Sequence, residues 1–172
     1  MGKRSNFERK PRDFYPTPPE AVAPLVPHLV EGWCYWEPCA GDGALVNAMP
    51  KWFPPQGISD IEPRAEWILR QDAFDVSDPV ADCIITNPPW TRSTLHPMIE
   101  HFSAMRPTWL LFDADWMHTK QSAPYMPWLR KIVSVGRVKW IPDSKMTGKD
   151  NCAWYLFDQN STGRTEFWGR NG

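Results

Sequence analysis

No apolar run in this sequence approaches membrane-spanning length, so no transmembrane helix is expected. Charge of one sign is not in excess either. Nineteen Lys and Arg stand against 20 Asp and Glu, for a formal charge of -1. Nucleic-acid binding would therefore need a local basic patch rather than an overall field. Cysteine is scarce: Cys34, Cys39, Cys83 and Cys152 form no C-x-x-C pair and no Cys/His cluster with zinc spacing. No metal site is expected, and the four read as free thiols, mostly buried, in a reducing cytoplasm. Met1 to Arg12 is basic and polar, with no apolar stretch behind it to make a secretory leader. Internal repeats and low-complexity segments are absent.

What is abundant is tryptophan and proline, 11 and 19 of them in 172 residues. Tryptophan suits stacking surfaces as well as cores. The prolines are dispersed, as loop and helix-start markers are. The length allows one real core with little room for a second. Residues 1–13 are expected to form a flexible basic arm, and residues 14–172 a single domain.

Thr17-Pro18-Pro19-Glu20 predicts a helix start, with Thr17 capping and Glu20 completing a capping box, and a helix running towards Leu29. Trp33 to Trp36 reads as a strand entering a glycine turn, Ala40-Gly41-Asp42-Gly43, and Ala44 to Met49 as helix. Gly57 to Ile61 reads as a strand ending in acids, and Pro63 to Leu69 as a short helix. Cys83 to Thr86 is a continuous apolar strand, as in a sheet buried on both faces. Leu95 to Met105 reads as helix and Thr108 to Phe112 as another buried strand. Val133 to Ile141 and Cys152 to Phe157 predict two strands joined by a polar loop. The alternation predicts an α/β fold: a mostly parallel sheet with an antiparallel terminal strand pair and helices on both faces.

Glu37 to Gly43 follows a strand and opens a helix, and its small residues let a ligand approach the backbone closely. Asp60, at the end of the next strand, can accept both hydroxyls of a ribose, with Glu62 as the nearby alternative. Asp72 can accept a hydrogen bond from an adenine amino group.

Asn87-Pro88-Pro89-Trp90 lies directly after the buried strand, where open α/β sheets bind ligands. Two prolines stiffen the backbone and leave the Pro88 carbonyl free of local competition. A planar amine can then donate to the Asn87 side-chain oxygen and the Pro88 carbonyl, which turns its nitrogen lone pair towards an electrophilic methyl group. Trp90 offers a face for a flat heterocycle, worth roughly 1–3 kcal/mol per base.

With these residues in order, the chain resembles the N6-adenine DNA methyltransferases of the amino group, within the Rossmann-like class I methyltransferases. The resemblance rests on Tyr15 to Glu20, Glu37 to Gly43, Ser59 to Pro63, Asp72 to Phe74 and Asn87 to Trp90. In overall form it is similar to the compact enzymes found in phages and prophages. It implies S-adenosyl-L-methionine as cofactor. Thr17 would contact its methionine part, with Tyr15 beside it. Glu37, Ala40 and Gly41 would line it. Asp60 and Ile61 would hold the ribose end, and Asp72, Ala73 and Phe74 would frame the adenine. Asn87, Pro88, Pro89 and Trp90 would receive a flipped target base. Trp140, placed in the penultimate strand, is similar to an aromatic that packs on the base's other side.

The resemblance also implies DNA as partner, a monomer or homodimer, and a bacterial or phage-infected cytoplasm. Family members usually carry a separate target-recognition region, and none fits here. Specificity is therefore expected to be short or relaxed and to come from loops, Thr91 to His96, Trp116 to Tyr125 and Asp143 to Asn151, and from the basic arm. Arg92, Lys120, Lys139, Lys145 and Lys149 are the candidates for local phosphate contacts. The tetrapeptide serves any planar NH2, so RNA adenine, DNA cytosine N4 and a protein glutamine stay open as substrates. A non-catalytic cofactor- or DNA-binding module is the alternative of another class.

Overall fold

The computed structural model describes residues 14–141, 148 and 150–170. The expected basic arm, Met1 to Asp13, lies outside the described residues. The framework is one sheet of eight strands: β1 (Tyr35–Glu37), β2 (Pro55–Asp60), β3 (Leu69–Arg70), β4 (Cys83–Thr86), β5 (Thr108–Asp113), β6 (Leu129–Arg137), β7 (Asn151–Phe157) and β8 (Glu166–Trp168). Their order is β3-β2-β1-β4-β5-β7-β6-β8. Only β7 runs against its neighbours β5 and β6; every other pairing is parallel. The expected β6/β7 antiparallel pair is present, but β8 continues the sheet beyond it.

Alternate residues of each central strand enter two separate cores, because successive side chains point to opposite faces. Tyr35, Ile85, Leu111 and Trp154 belong to one core. Trp36, Ile84, Leu110, Phe112 and Tyr155 belong to the other. The first is covered by α1 (Pro19–Val22), the 3-10 segment Ala23–His28 and α2 (Ala44–Ala48). The second is covered by α3 (Arg92–Met105), whose Leu95, Met98, Ile99 and Phe102 fall on one helical face.

Several local expectations give way to tertiary contacts. Thr17 does not cap α1: Pro18 is the N-cap residue and makes no side-chain cap bond. The Thr17 hydroxyl instead accepts from Asn87 Nδ2 at 3.1 Å. The first helix becomes 3-10 from Ala23 on, where Pro24 and Pro27 cannot donate to an α-helical ladder. Pro63 to Leu69 forms no helix. Arg64 N–H donates to Gly41 O at 2.8 Å, Ile68 N–H closes a turn onto Ala65 O, and Leu69 pairs with Ser59 as β3. Thr91 to His96 is not a loop, since α3 begins at Arg92. Trp140 lies past the end of β6, not within a strand.

One long-range bond fastens the N-terminal segment to the sheet. Trp154, fully buried on β7, donates Nε1–H to Ala21 O at 2.8 Å across 133 positions. Trp154→Phe removes that donor and shrinks the ring. Urea unfolding should show a loss of about 2–3 kcal/mol with an unchanged m-value.

Candidate functional site

The strand order reverses between β1 and β4, and their carboxyl ends diverge there into a crevice. That crevice holds a cavity of about 410 Å³, within the roughly 300–1,000 Å³ range of small-molecule sites. Its wall contains Tyr15, Thr17, Glu37, Ala40, Gly41, Asp60, Ile61, Asp72, Ala73 and Phe74, together with Asn87 and Pro89. Every residue expected on sequence grounds to hold a cofactor therefore lies on one surface. Pro88, Trp90, Arg92 and Trp140 are not on that wall.

The glycine turn is shaped by two left-handed residues, Gly41 (φ 57) and Gly43 (φ 84). A Cβ on Gly41 would come within 2.5 Å of the Phe14 ring, and one on Gly43 within 2.2 Å of the Trp67 ring. Asp60 ties this turn to β2. One carboxylate oxygen accepts from Gly41 N–H at 2.8 Å, and the other accepts from Glu62 N–H at 2.7 Å. Each oxygen keeps acceptor capacity for a hydroxyl. Asp72 caps the 3-10 turn Ala73–Asp75 by accepting from Phe74 N–H at 3.0 Å. That leaves its second oxygen for a ligand amine. Phe74, half-exposed, rests against His101 and Phe102.

Asn87 is held from three sides. Its Nδ2 donates to Thr17 Oγ1 at 3.1 Å and to Tyr15 O at 3.4 Å. Its Oδ1 accepts from Trp90 Nε1–H at 3.2 Å. Indole N–H only donates and a backbone carbonyl only accepts, so both ends assign the amide the same way round. Both amide hydrogens are used, and one lone pair of Oδ1 remains. Trp90 Nε1–H is shared with Leu111 O at 3.2 Å, which anchors the indole to β5.

Trp140 stands beside this group, with its ring centroid 5.7 Å from that of Trp90 at 85° and 6.4 Å from that of Tyr15. Arg92, the first residue of α3, lies 3.6 Å from Asp113 at the end of β5. Lys120 and Lys139 are exposed. Lys145 and Lys149 lie outside the described residues. No helix is long and apolar enough to cross a membrane, and no cluster that could hold a metal ion occurs, among the described residues.

Sequence reasoning missed five wall residues: Phe14, Ala44, Leu45, Arg64 and Met98. Arg64 had a signal, its position four residues past Asp60. Phe14 had only its place beside Tyr15. Met98 belongs to the apolar stripe of α3 and reads as core from spacing alone.

Glu37 is 1% exposed, and its Oε2 has no hydrogen-bond partner among the described residues. Burial pushes its carboxyl well above the usual range, and repulsion from Asp60 and Asp42 adds to this. An unfolded chain ionises Glu37 in the ordinary carboxylate range, whereas burial in the folded chain opposes its ionisation. Stability is therefore lost as pH rises from about 4. Glu37→Gln should melt at a higher temperature than the parent near pH 7. The difference should shrink towards zero below about pH 4, as followed by thermal melts across that range.

No protein-family model matches the chain, and no curated protein matches it. Among solved structures it is similar to a dimethyladenosine transferase from Plasmodium falciparum, at 16% identity and a TM-score of 0.53, over 84% of this chain and 62% of that one. It is similar to a chain of a type I R-M system, at 14% identity and a TM-score of 0.55, over 91% of this chain and 45% of that one. It is also similar to the 23S rRNA methyltransferase ErmE, at 13% identity and a TM-score of 0.54, over 83% and 68%. The chain thus spans less than two thirds of the length of the first two. At these identities the likeness establishes the fold alone, a Rossmann-like, mostly parallel sheet similar to those of these methyltransferases.

Proposed function

We propose that this chain transfers a methyl group from S-adenosyl-L-methionine to the N6 amine of adenine in DNA. The observation that carries the reading is Asn87: a side-chain carbonyl, fixed in orientation, on the wall of the same cavity as Asp60 and the glycine turn.

The wall suits that cofactor. Asp60 retains acceptors for two ribose hydroxyls, and Asp72 retains one for an adenine amine. The unpartnered Oε2 of Glu37 would take a hydrogen bond from the methionine ammonium. The cofactor, when bound, supplies an electrophilic methyl on a sulfonium. The protein's own part is positioning. Asn87 Oδ1 accepts one N–H of the target amine with its remaining lone pair. The Pro88 carbonyl accepts the other. With both N–H bonds held, the nitrogen lone pair would face the methyl group. The methyl–sulfur bond would break as the methyl–nitrogen bond forms, and the neutral thioether nucleoside would leave. The cationic nitrogen would then lose one proton to solvent.

Trp90 would present its ring to the flipped base while its N–H stays on Asn87 and Leu111. A base sandwiched between Trp90 and Trp140 needs their rings parallel and about 7 Å apart, two contacts of about 3.5 Å. At 5.7 Å and 85° the two rings leave no such slot. Trp140 must therefore turn aside to admit a base.

A second reading is the same transfer to adenine in RNA. The likeness to a dimethyladenosine transferase and an rRNA methyltransferase favours it. The resemblance of Tyr15 to Glu20 to the corresponding segment of DNA enzymes favours the first.

Incubation with tritiated cofactor and separate DNA, RNA and protein substrates, followed by nucleoside mass spectrometry, separates them. Labelled N6-methyladenine is expected from DNA. Label in RNA alone supports the second reading, and no label anywhere with cofactor still bound overturns both. Asn87→Ala should lower transfer on the order of 10²-fold or more while cofactor affinity changes little.

A further inference from the structure

The cavity wall is unbalanced in charge. Asp42, Asp60, Glu62 and Asp72 supply four carboxyl groups, besides the buried Glu37 that resists ionisation. Among the described residues lining it, Arg64 is the one cation. Those carboxyls suit a ligand's hydroxyl, ammonium and sulfonium groups. They oppose an anionic group unless a cation is placed beside it.

Arg64 is held over one part of the wall, the glycine turn. Its backbone N–H donates to Gly41 O at 2.8 Å. Its guanidinium carbon lies 3.8 Å from the centroid of the Phe14 ring. That ring in turn lies directly against Gly41, where a Cβ would meet it at 2.5 Å. Gly41, Phe14 and Arg64 thus form a stack at the edge of the cavity. Its aromatic layer is two residues from Pro16 and three from Thr17, which bonds Asn87. The stack therefore sits where the N-terminal segment meets the β1 turn, and the ribose-holding Asp60 lies on the other side of Gly41.

We infer that Arg64, propped on Phe14, is the counter-ion for the α-carboxylate at the amino-acid end of the cofactor. This rests on the cofactor assigned above and adds the residue that recognises its only anionic group. The guanidinium offers a carboxylate paired N–H donors. Its stacking on Phe14 limits the freedom it would otherwise lose on binding. Phe14 has a second role here, as a roof over Gly41.

The test compares two nucleosides that share everything except the amino-acid end. S-adenosylhomocysteine carries the carboxylate, and 5′-methylthioadenosine lacks it. Calorimetric titration of the full chain should show Arg64→Ala weakening S-adenosylhomocysteine about tenfold while leaving methylthioadenosine within about twofold. Arg64→Lys, which keeps the charge, should recover part of the loss, and added salt should narrow the gap between parent and Arg64→Ala. Equal loss for both ligands means that Arg64 only shapes the site, and overturns the inference. No loss for either also overturns it. A parent protein that binds neither nucleoside overturns the methyltransferase reading and this inference with it.

Discussion

The carboxamide of Asn87 is where three separate parts of the chain are joined. Its nitrogen is bound to Tyr15 and Thr17 from the N-terminal segment, and its oxygen to the Trp90 indole, which is itself fixed to β5 at Leu111. A half-buried amide with every donor used has little freedom to rotate. The consequence is chemical as well as structural. One oxygen lone pair is left over, at the start of the Pro-Pro segment that follows β4, and its direction is set by groups far apart in sequence. Loss of any one of these bonds would release the others, because they share the same two polar atoms.

The cofactor half depends on a comparable sharing at Asp60. Both of its oxygens serve backbone N–H groups, one in the glycine turn and one just beyond β2. The carboxylate thus holds together the turns after β1 and β2, which form one side of the crevice, before any ligand arrives. Glu37 is buried nearby, and desolvation together with repulsion from Asp60 and Asp42 pushes its carboxyl well above the usual range.

The central strands were legible because burial on both faces leaves an unmistakable signature. Cys83 to Thr86 is buried throughout and has the predicted bounds. The wall residues were legible for a related reason: a ligand beyond strand ends needs acids and small residues at fixed points after each strand. The losses have local causes. Thr17 looks the same in sequence whether it caps a helix or receives Asn87, and only the distant partner decides. The Pro63 to Leu69 segment has helix-like apolar spacing, but Trp67 is drawn onto Gly43 and Leu69 onto Ser59. Glu166 to Trp168 forms an edge strand exposed along its whole length, so it carries no burial pattern to read. Trp140 was recognisable as an aromatic near the site, but its perpendicular contact with Trp90 depends on a backbone path that periodicity does not encode.

The claim that most needs testing is that one ligand spans the crevice from Asp72 to Asn87. A crystal structure of the protein with S-adenosylhomocysteine tests it directly. The account predicts both ribose hydroxyls on Asp60, the adenine amine on Asp72 and the sulfur beside the free face of Asn87. A nucleoside bound away from Asp60, or one whose sulfur lies at the far end from Asn87, would contradict it.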